Sequence, residues 1–468
     1  MKKDNRKSIL VTLPRPIFPQ VCGYAFYNKK LLEALSAACD VRVVLITGNE
    51  LSVEEKSFYR EHGITVTEYR IPKWKSLYHT LLALFGKVPL QVAYYYDRKL
   101  QKMVDGIAPE VDGIFSVLVR TKKYAESPVW NGKTKLFLMA DSIALNYERS
   151  KEKTKSLFWK WIYSLEAERL KRYEKRCIED SSCTFLFNQE EVAYWSQVAN
   201  GNIQWLPHGV NEKLFHYEEL EIRQDGAEGA VGSSEASDSD KKVKETKAET
   251  LRQASPDFIR KICRNAVVFM GKMDYQPNVD AAMWYLRNVQ PLVDDIAGFV
   301  IVGAYPKKEL LEEAEKFRNV HVTGFVEDPY RYAYESCGMV APMQTGGGIQ
   351  NKVLEGMALG KVNIVSSLAA GPIVGAKHGE NMFIVDDPAE YVRVVKDLVQ
   401  SKNADSGIGE KALLVQGSGT IEDGEGLKSE DQYTKIEKNA RNLIRNQFTW
   451  ERYKSVLLET VKDSCFTG

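Results

Sequence analysis

The chain has 468 residues, 44% of them apolar, and its 64 Lys and Arg against 63 Asp and Glu leave a net charge of +1. That length holds about two domains with sizeable cores, and the even charge balance removes the electrostatic argument for a nucleic-acid-binding protein. The seven cysteines show neither a CxxC pair nor a metal-ligand spacing, which suits reduced structural thiols in a cytosolic protein, and no stretch approaches the roughly 18 to 20 apolar residues of a bilayer span.

The basic start MKKDNRKSILVTL runs into an apolar segment soon broken by Pro14, Arg15 and Pro16, a first strand rather than a signal peptide. In chain order, residues 8–13, 41–46, 64–69, 111–117, 135–140, 183–187 and 203–206 read as strands. The scheme then restarts at 266–270, 299–303, 320–323, 339–342, 362–365 and 382–385, with helical patterns between most runs, for example at 280–288 and 307–317. Short continuous apolar strands separated by helices predict parallel sheets covered on both faces. The expected architecture is α/β, with two doubly wound, Rossmann-like domains facing across a cleft. They are placed at residues 1–206 and 263–400, with a linker at 207–262 and a closing helix at 433–468 that crosses back to the first domain. Ligands of such domains bind beyond the carboxyl ends of the strands.

Two tracts interrupt this pattern, residues 222–250 inside the linker and 402–431 within an insert assigned to 401–432. Both are rich in Gly, Ser and charge, with almost nothing to bury. The first contains Asp238-Ser239-Asp240, a DxD spacing used elsewhere to hold a metal and diphosphate; with no strand before it, it reads as coincidence. Two further stretches, 72–96 and 156–175, mix aromatic and basic residues. They are either interfacial amphipathic helices or ordinary helices with Trp and Leu in the core and charges outside.

The run Gly346-Gly347-Gly348-Ile349-Gln350-Asn351-Lys352-Val353-Leu354-Glu355 carries the clearest chemistry. Glycines admit close approach of backbone amides to a ligand, and a helix start adds unpaired donors and a positive dipole end. Lys352 and Glu355, three apart, share one helical face while Val353, Leu354 and Met357 form another. A diphosphate would meet the glycine amides and Lys352, leaving Glu355 to accept from sugar hydroxyls. The alternative is a buried helix with a surface Lys–Glu pair.

In order along the chain, several segments resemble a retaining glycosyltransferase of the GT-B fold, family 4, in a bacterial polysaccharide-biosynthesis subgroup. They are Leu13-Pro14-Arg15-Pro16 with Pro19 and Gly23; Leu206-Pro207-His208-Gly209-Val210-Asn211 with Phe215; and Phe269-Met270-Gly271-Lys272-Met273-Asp274-Tyr275 with Pro277-Asn278 and Asp280-Ala281. Ile301-Val302-Gly303, Val322-Thr323-Gly324-Phe325-Val326, the glycine–Lys–Glu run, and Arg441 to Tyr453 with Trp450 complete the set. The resemblance implies that Lys272 and Lys352 neutralise the donor diphosphate and that Glu355 accepts from the nucleotide ribose. It implies that Gly324, Phe325 and Val326 read the base, that Gly23 lets phosphate approach, that Gly271 belongs to the donor-binding set, and that Gly346, Gly347, Gly348, Ile349 and Gln350 hold sugar hydroxyls and phosphate.

Transfer would proceed with retention, fixed positive charge standing in for a metal; no metal site and no cofactor are expected. The implied partners are a nucleotide-sugar donor and a glycan or lipid-linked acceptor, with peripheral membrane contact a candidate and no nucleic acid. The implied location is the cytoplasm, including the inner face of the cell membrane.

Two departures from the family pattern stand out. The glutamate usual eight positions before Glu355 is Gly347, and the usual histidine after the fifth strand is replaced near Ala140-Asp141. Asp141 and Asn146 are therefore candidates for contact with donor sugar or acceptor, a helix cap being the structural alternative for Asp141. His208 reads as a loop residue. A nucleotide-sugar epimerase of the same fold and a non-catalytic nucleotide-sugar-binding relative are the competing readings.

Overall fold

The computed structural model describes residues 6–19, 23–48, 50–153, 156–217, 254–405 and 431–466. Asp238 and Asp240, with the interiors of both low-complexity tracts, lie outside the described residues. By its contacts the chain forms two units. One comprises Met1–Gly209, Gly346–Ile349 and Phe448–Gly468, the other Val210–Thr345 and Gln350–Gln447.

The first unit holds β1 (Ser8–Leu13), β2 (Asp40–Ile46), β3 (Thr65–Tyr69), β4 (Gly113–Val117), β5 (Thr134–Ala140), β6 (Cys183–Leu186) and β7 (Ile203–Trp205). They form one sheet in the order β3-β2-β1-β4-β5-β6-β7, every neighbouring pair parallel. The consecutive apolar residues Ile9, Leu10 and Val11 of β1 are explained by two cores. Ile9, Val11 and Leu13 pack among Leu31, Leu35 and Phe58 on one face, and Leu10 packs with Leu100, Val104 and Trp130 on the other. Each such side chain contributes about 1.5–3 kcal/mol when fully buried.

The second unit holds β8 (Ala266–Met270), β9 (Gly298–Val302), β10 (Val320–Val322), β11 (Gly338–Ala341), β12 (Val362–Val365) and β13 (Phe383–Ile384). Their order is β10-β9-β8-β11-β12-β13, again all parallel. In each sheet the winding reverses once, between β1 and β4 and between β8 and β11. In doubly wound folds the ligand crevice opens at that reversal, beyond the carboxyl ends.

Every expected strand is present, its ends shifted by at most two residues. Three helical expectations change. Residues 433–468 are two helices, Gln432–Gln447 and Trp450–Phe466. Phe448, which follows the first in sequence, is fully buried, and Thr449 Oγ1 accepts from the Arg452 amide (3.2 Å) to start the second. Residues 402–405, expected to be unstructured, finish the helix Pro388–Asp405, with Lys402 ion-paired to Glu437 at 2.9 Å. The stretch 72–96 is two helices, Lys73–Ala83 and Leu90–Tyr95, separated by a turn that holds Gly86, with Pro89 at the N-cap of the second, where proline's fixed φ is tolerated. Its Trp and Leu residues are not core: Trp74 is 70% and Phe85 90% exposed, and Leu77, Leu81 and Leu82 are exposed too. Among the described helices none is long and apolar enough to cross a membrane.

Candidate functional site

In the second unit the site residues gather where β8 and β11 end. The Gly271 amide donates to Val302 O (3.0 Å) and the Met273 amide to Ala304 O (2.8 Å), binding the loop after β8 to the loop after β9. This closeness demands glycine at 303, where a Cβ would stand 1.7 Å from Gly271 O. Lys272 projects from the loop into solvent, its ammonium 5.5 Å from the exposed Tyr305 ring. Behind it Asn278, on the helix Gln276–Asn288, donates through Nδ2 to the Lys272 carbonyl (3.0 Å) and accepts through Oδ1 from Lys352 Nζ (2.6 Å).

Lys352 sits in the first turn of the helix Asn351–Ala358. Besides Asn278, its ammonium meets the Phe269 ring at 4.3 Å and Met343 Sδ at 3.8 Å. All three neighbours are neutral. Desolvation therefore lowers its pKa to about 7, opposed only by the charge of Glu355. Glu355 takes a separate bond, its carboxylate accepting from Tyr330 Oη (3.1 Å) while burial pushes its pKa up. The two residues are thus not the surface ion pair of the alternative reading. The helix also lacks an acid in its first turn, and Gln350 at its N-cap makes no side-chain cap bond. A helix start so arranged keeps its positive end and its orphan amides for an anion.

The loop after β10 holds Gly324 at φ 70°, with open space where a side chain would be, then Phe325, 58% exposed, and half-buried Val326.

In the first unit Asp141 follows β5 and is reached by the glycine run. A Cβ on Gly347 would lie 1.4 Å from Asn146 Oδ1, and one on Gly348, at φ 78°, 2.5 Å from Asp141 Oδ1. The two side chains occupy the space that glycine leaves. Asp141 Oδ1 is buried with no hydrogen-bond partner among the described residues, and desolvation raises its pKa to about 6 against the pull of Arg149.

Asp141 does not cap the following helix, Ile143–Lys153. Glu174 does, accepting from the amides of Ile143 (2.9 Å) and Ala144 (3.2 Å) and from Ser142 Oγ (2.6 Å). Glu191 accepts from the Ser142 amide (2.6 Å) and faces Arg149 at 3.7 Å. Both glutamates are fully buried, and desolvation raises their pKa values, that of Glu174 to about 7.

Gly23 opens the helix Gly23–Ala38. His208 is a packing residue, buried against Tyr27, Phe187 and Trp450, with its pKa lowered by burial to about 4. Gly209 beside it admits Trp450, whose ring carbon Cδ2 would be 2.5 Å from a Cβ there.

Asp141 and Gly346–Ile349 therefore belong to the first unit, while Lys272, Lys352, Glu355, Gly271, Gln350 and the Gly324 loop belong to the second. Sequence reasoning gave no role to Asn278, Tyr330, Glu174 or Glu191. Only Asn278 left a trace, as part of the Pro277-Asn278 pair. Among the described residues no three His, Cys, Asp or Glu side chains are grouped to hold a metal ion.

Residues 264–401 match the family model described as glycosyl transferases group 1. Among solved structures, Anabaena HepE in complex with UDP is 12% identical at a TM-score of 0.58, the match covering 98% of this chain and 100% of that one. The same protein with UDP-glucose is 13% identical at 0.55, covering 97% and 99%. WaaG, a glycosyltransferase involved in lipopolysaccharide biosynthesis, is 12% identical at 0.57, covering 98% and 100%. A curated relative, an uncharacterized 44.6 kDa protein in the cps region of Klebsiella pneumoniae, is 24% identical over 139 residues, 27% of this chain. The match spans only 35% of that relative's length. The fold, two parallel sheets of seven and six strands in an α/β chain, is that of the GT-B glycosyltransferase structures.

Proposed function

We propose that the protein is a glycosyltransferase that moves a sugar, with retention, from a nucleotide-diphosphate sugar to a glycan or lipid-linked acceptor in cell-surface polysaccharide biosynthesis. One observation carries the reading. Lys352 stands at an acid-free helix start, held only by neutral groups, beside a glutamate bonded to a tyrosine. The group 1 match over this region, the UDP and UDP-glucose bound by HepE, and the lipopolysaccharide and cps settings of WaaG and the Klebsiella relative support it.

In this reading Lys272 and Lys352 oppose the charge that grows on the leaving diphosphate as the sugar gains oxocarbenium character. Amides of Gly346–Ile349 and the first turn after Gln350 take phosphate and sugar oxygens. Glu355 accepts from the ribose hydroxyls, and the Gly324–Val326 loop reads the base. Gly23 and Gly271 admit the phosphate, and Asp141 contacts donor sugar or acceptor. Fixed cations and a helix dipole stabilise a departing anion, so the reaction needs neither metal nor cofactor and survives excess chelator. The enzyme works in the cytoplasm at the inner membrane face, where exposed Trp74 and Phe85, with Lys73 and Lys87 nearby, meet lipid.

Incubation with UDP- and GDP-sugars tests the activity: release of nucleoside diphosphate, with the product's anomeric configuration read by NMR, shows transfer with retention. Isomerised donor would mark an epimerase. Binding without release would mark the non-catalytic relative that Gly347, in place of the family's glutamate, favours.

A further inference from the structure

The amino ends of β8, β11 and β12 lie at the edge of the second sheet opposite Lys272 and Lys352. There a cavity of about 700 Å³ opens, closed on its far side by the helix Gln432–Gln447. Its volume is in the range of small-molecule sites. Six basic side chains line it, Arg264, Lys361, Lys402, Lys438, Arg441 and Arg445. The acids on its wall are Glu335 and Glu437, and each is already matched, Glu437 by Lys402 at 2.9 Å and Glu335 by Arg260 at 3.3 Å.

Arg264, Lys361 and Arg441 have no carboxylate partner among the described residues. Lys361 spends one donor on Ser336 O (3.0 Å) and Arg441 one on Leu359 O (2.8 Å), so the ends of two helices fix their positions. Arg441 Nε is buried with no hydrogen-bond partner among the described residues. Gly360, at φ 74°, lets the guanidinium lie against the chain, since a Cβ there would stand 2.8 Å from Nη2. Part-buried positive charge left uncompensated is costly, and two guanidinium forks beside an ammonium match the oxygens of a phosphate.

We propose that this cavity is a second anion site, which takes the phosphate or diphosphate group of a small molecule or lipid headgroup, separate from the donor site. Occupation would link to the donor region through the helix Asn351–Ala358, because Arg441 holds the carbonyl of Leu359 just past its end while Lys352 begins it.

Equilibrium dialysis with labelled inorganic pyrophosphate, at about 0.1 M salt to screen exposed charges, tests the site. The wild-type protein should bind two equivalents, and Lys352→Gln should retain one. Arg264→Gln and Arg441→Gln should each retain the other, with the second weakened at least about tenfold. Arg264 is exposed, so its variant keeps the test valid if Arg441→Gln fails to fold. Sedimentation with phosphatidylcholine vesicles, with and without phosphatidic acid, separates the sources. Retention that needs phosphatidic acid and Arg264, without pyrophosphate binding, assigns the cavity to a lipid phosphate. Pyrophosphate binding abolished by Lys352→Gln and untouched by Arg264→Gln overturns the second site and leaves the donor reading standing. Absence of Arg264-dependent binding to either probe also overturns it.

Discussion

The two units each start a helix at the carboxyl end of a parallel strand, and they treat that helix start in opposite ways. After β5, the amides of Ser142, Ile143 and Ala144 are taken by Glu191 and Glu174, two fully buried carboxylates. After β11, the helix from Asn351 has no acid in its first turn, no side-chain cap bond at Gln350, and a lysine held by neutral neighbours. The first helix start has its amides satisfied from within and offers none of them. The second keeps its charge available. An anion site is thus marked less by the presence of a helix end, which any doubly wound sheet supplies in number, than by the chain's failure to compensate it.

The largest effect should come from removing that charge. Lys352→Ala is expected to cut turnover about 10²-fold or more, because its attraction grows as the diphosphate departs. Glu355→Ala should chiefly weaken nucleotide binding, read as KM rather than kcat. Near-normal kinetics in both folded variants would erase the difference between the two helix starts.

The glycine run gives the next largest effect. Gly348 is at φ 78° with the Asp141 carboxylate where a side chain would go. Gly348→Ala should lose on the order of 1–3 kcal/mol of stability in a denaturant titration. Replacing Asp141 by Gly as well should restore the part due to crowding and leave the backbone part. No recovery in the double variant would mean that the two residues do not share that space.

The strands were legible because a sheet covered on both faces needs continuous apolar runs, and β8 and β11 carry them. Lys352 and Glu355 were legible because glycines, helix start and charges are consecutive. Asn278 was not, since its bond to Lys352 spans 74 positions and an amide on an otherwise ordinary helix carries no local signal. Glu174 reads as solvent-facing in Arg172-Tyr173-Glu174-Lys175-Arg176, yet it is fully buried against a helix 31 residues earlier. Long-range capping of this kind becomes visible only once the sheet has brought the partners together. Trp74 and Leu77 differ again, because an amphipathic pattern suits a core face and a membrane face equally, and only the structure shows them exposed.

The pH dependence of binding separates the helix starts more finely. Lys352 has a pKa of about 7 in the free protein, lowered by desolvation. A bound diphosphate favours the charged form, so above pH 7 binding must take up a proton. Affinity for UDP should then fall by up to about tenfold per pH unit. Calorimetry at about pH 8 in buffers of different ionisation enthalpy should show that uptake, well above the phosphate's own ionisation near about 6. Lys352→Arg should abolish it, and equal heats in all buffers would show that Lys352 keeps its proton in the free protein.

The smallest effect concerns the other helix start. Burial raises the pKa of Glu174 to about 7, from an ordinary glutamate value of about 4.5. A folded-state pKa above the unfolded one means that the folded chain binds the proton more tightly. The stabilisation is therefore fully present below about 4.5 and is lost as the pH rises through 7. Glu174→Gln removes that titration, and its amide oxygen still accepts from Ile143 and Ala144 while Ser142 Oγ turns to accept from its NH₂. The variant's Tm should therefore fall less steeply than the wild type's between pH 4.5 and 7, with both melting as one transition. Parallel Tm curves would show that Glu174 stays ionised in its cap. The first helix start would then hold a true internal anion, which makes the open charge at Lys352 the sharper exception.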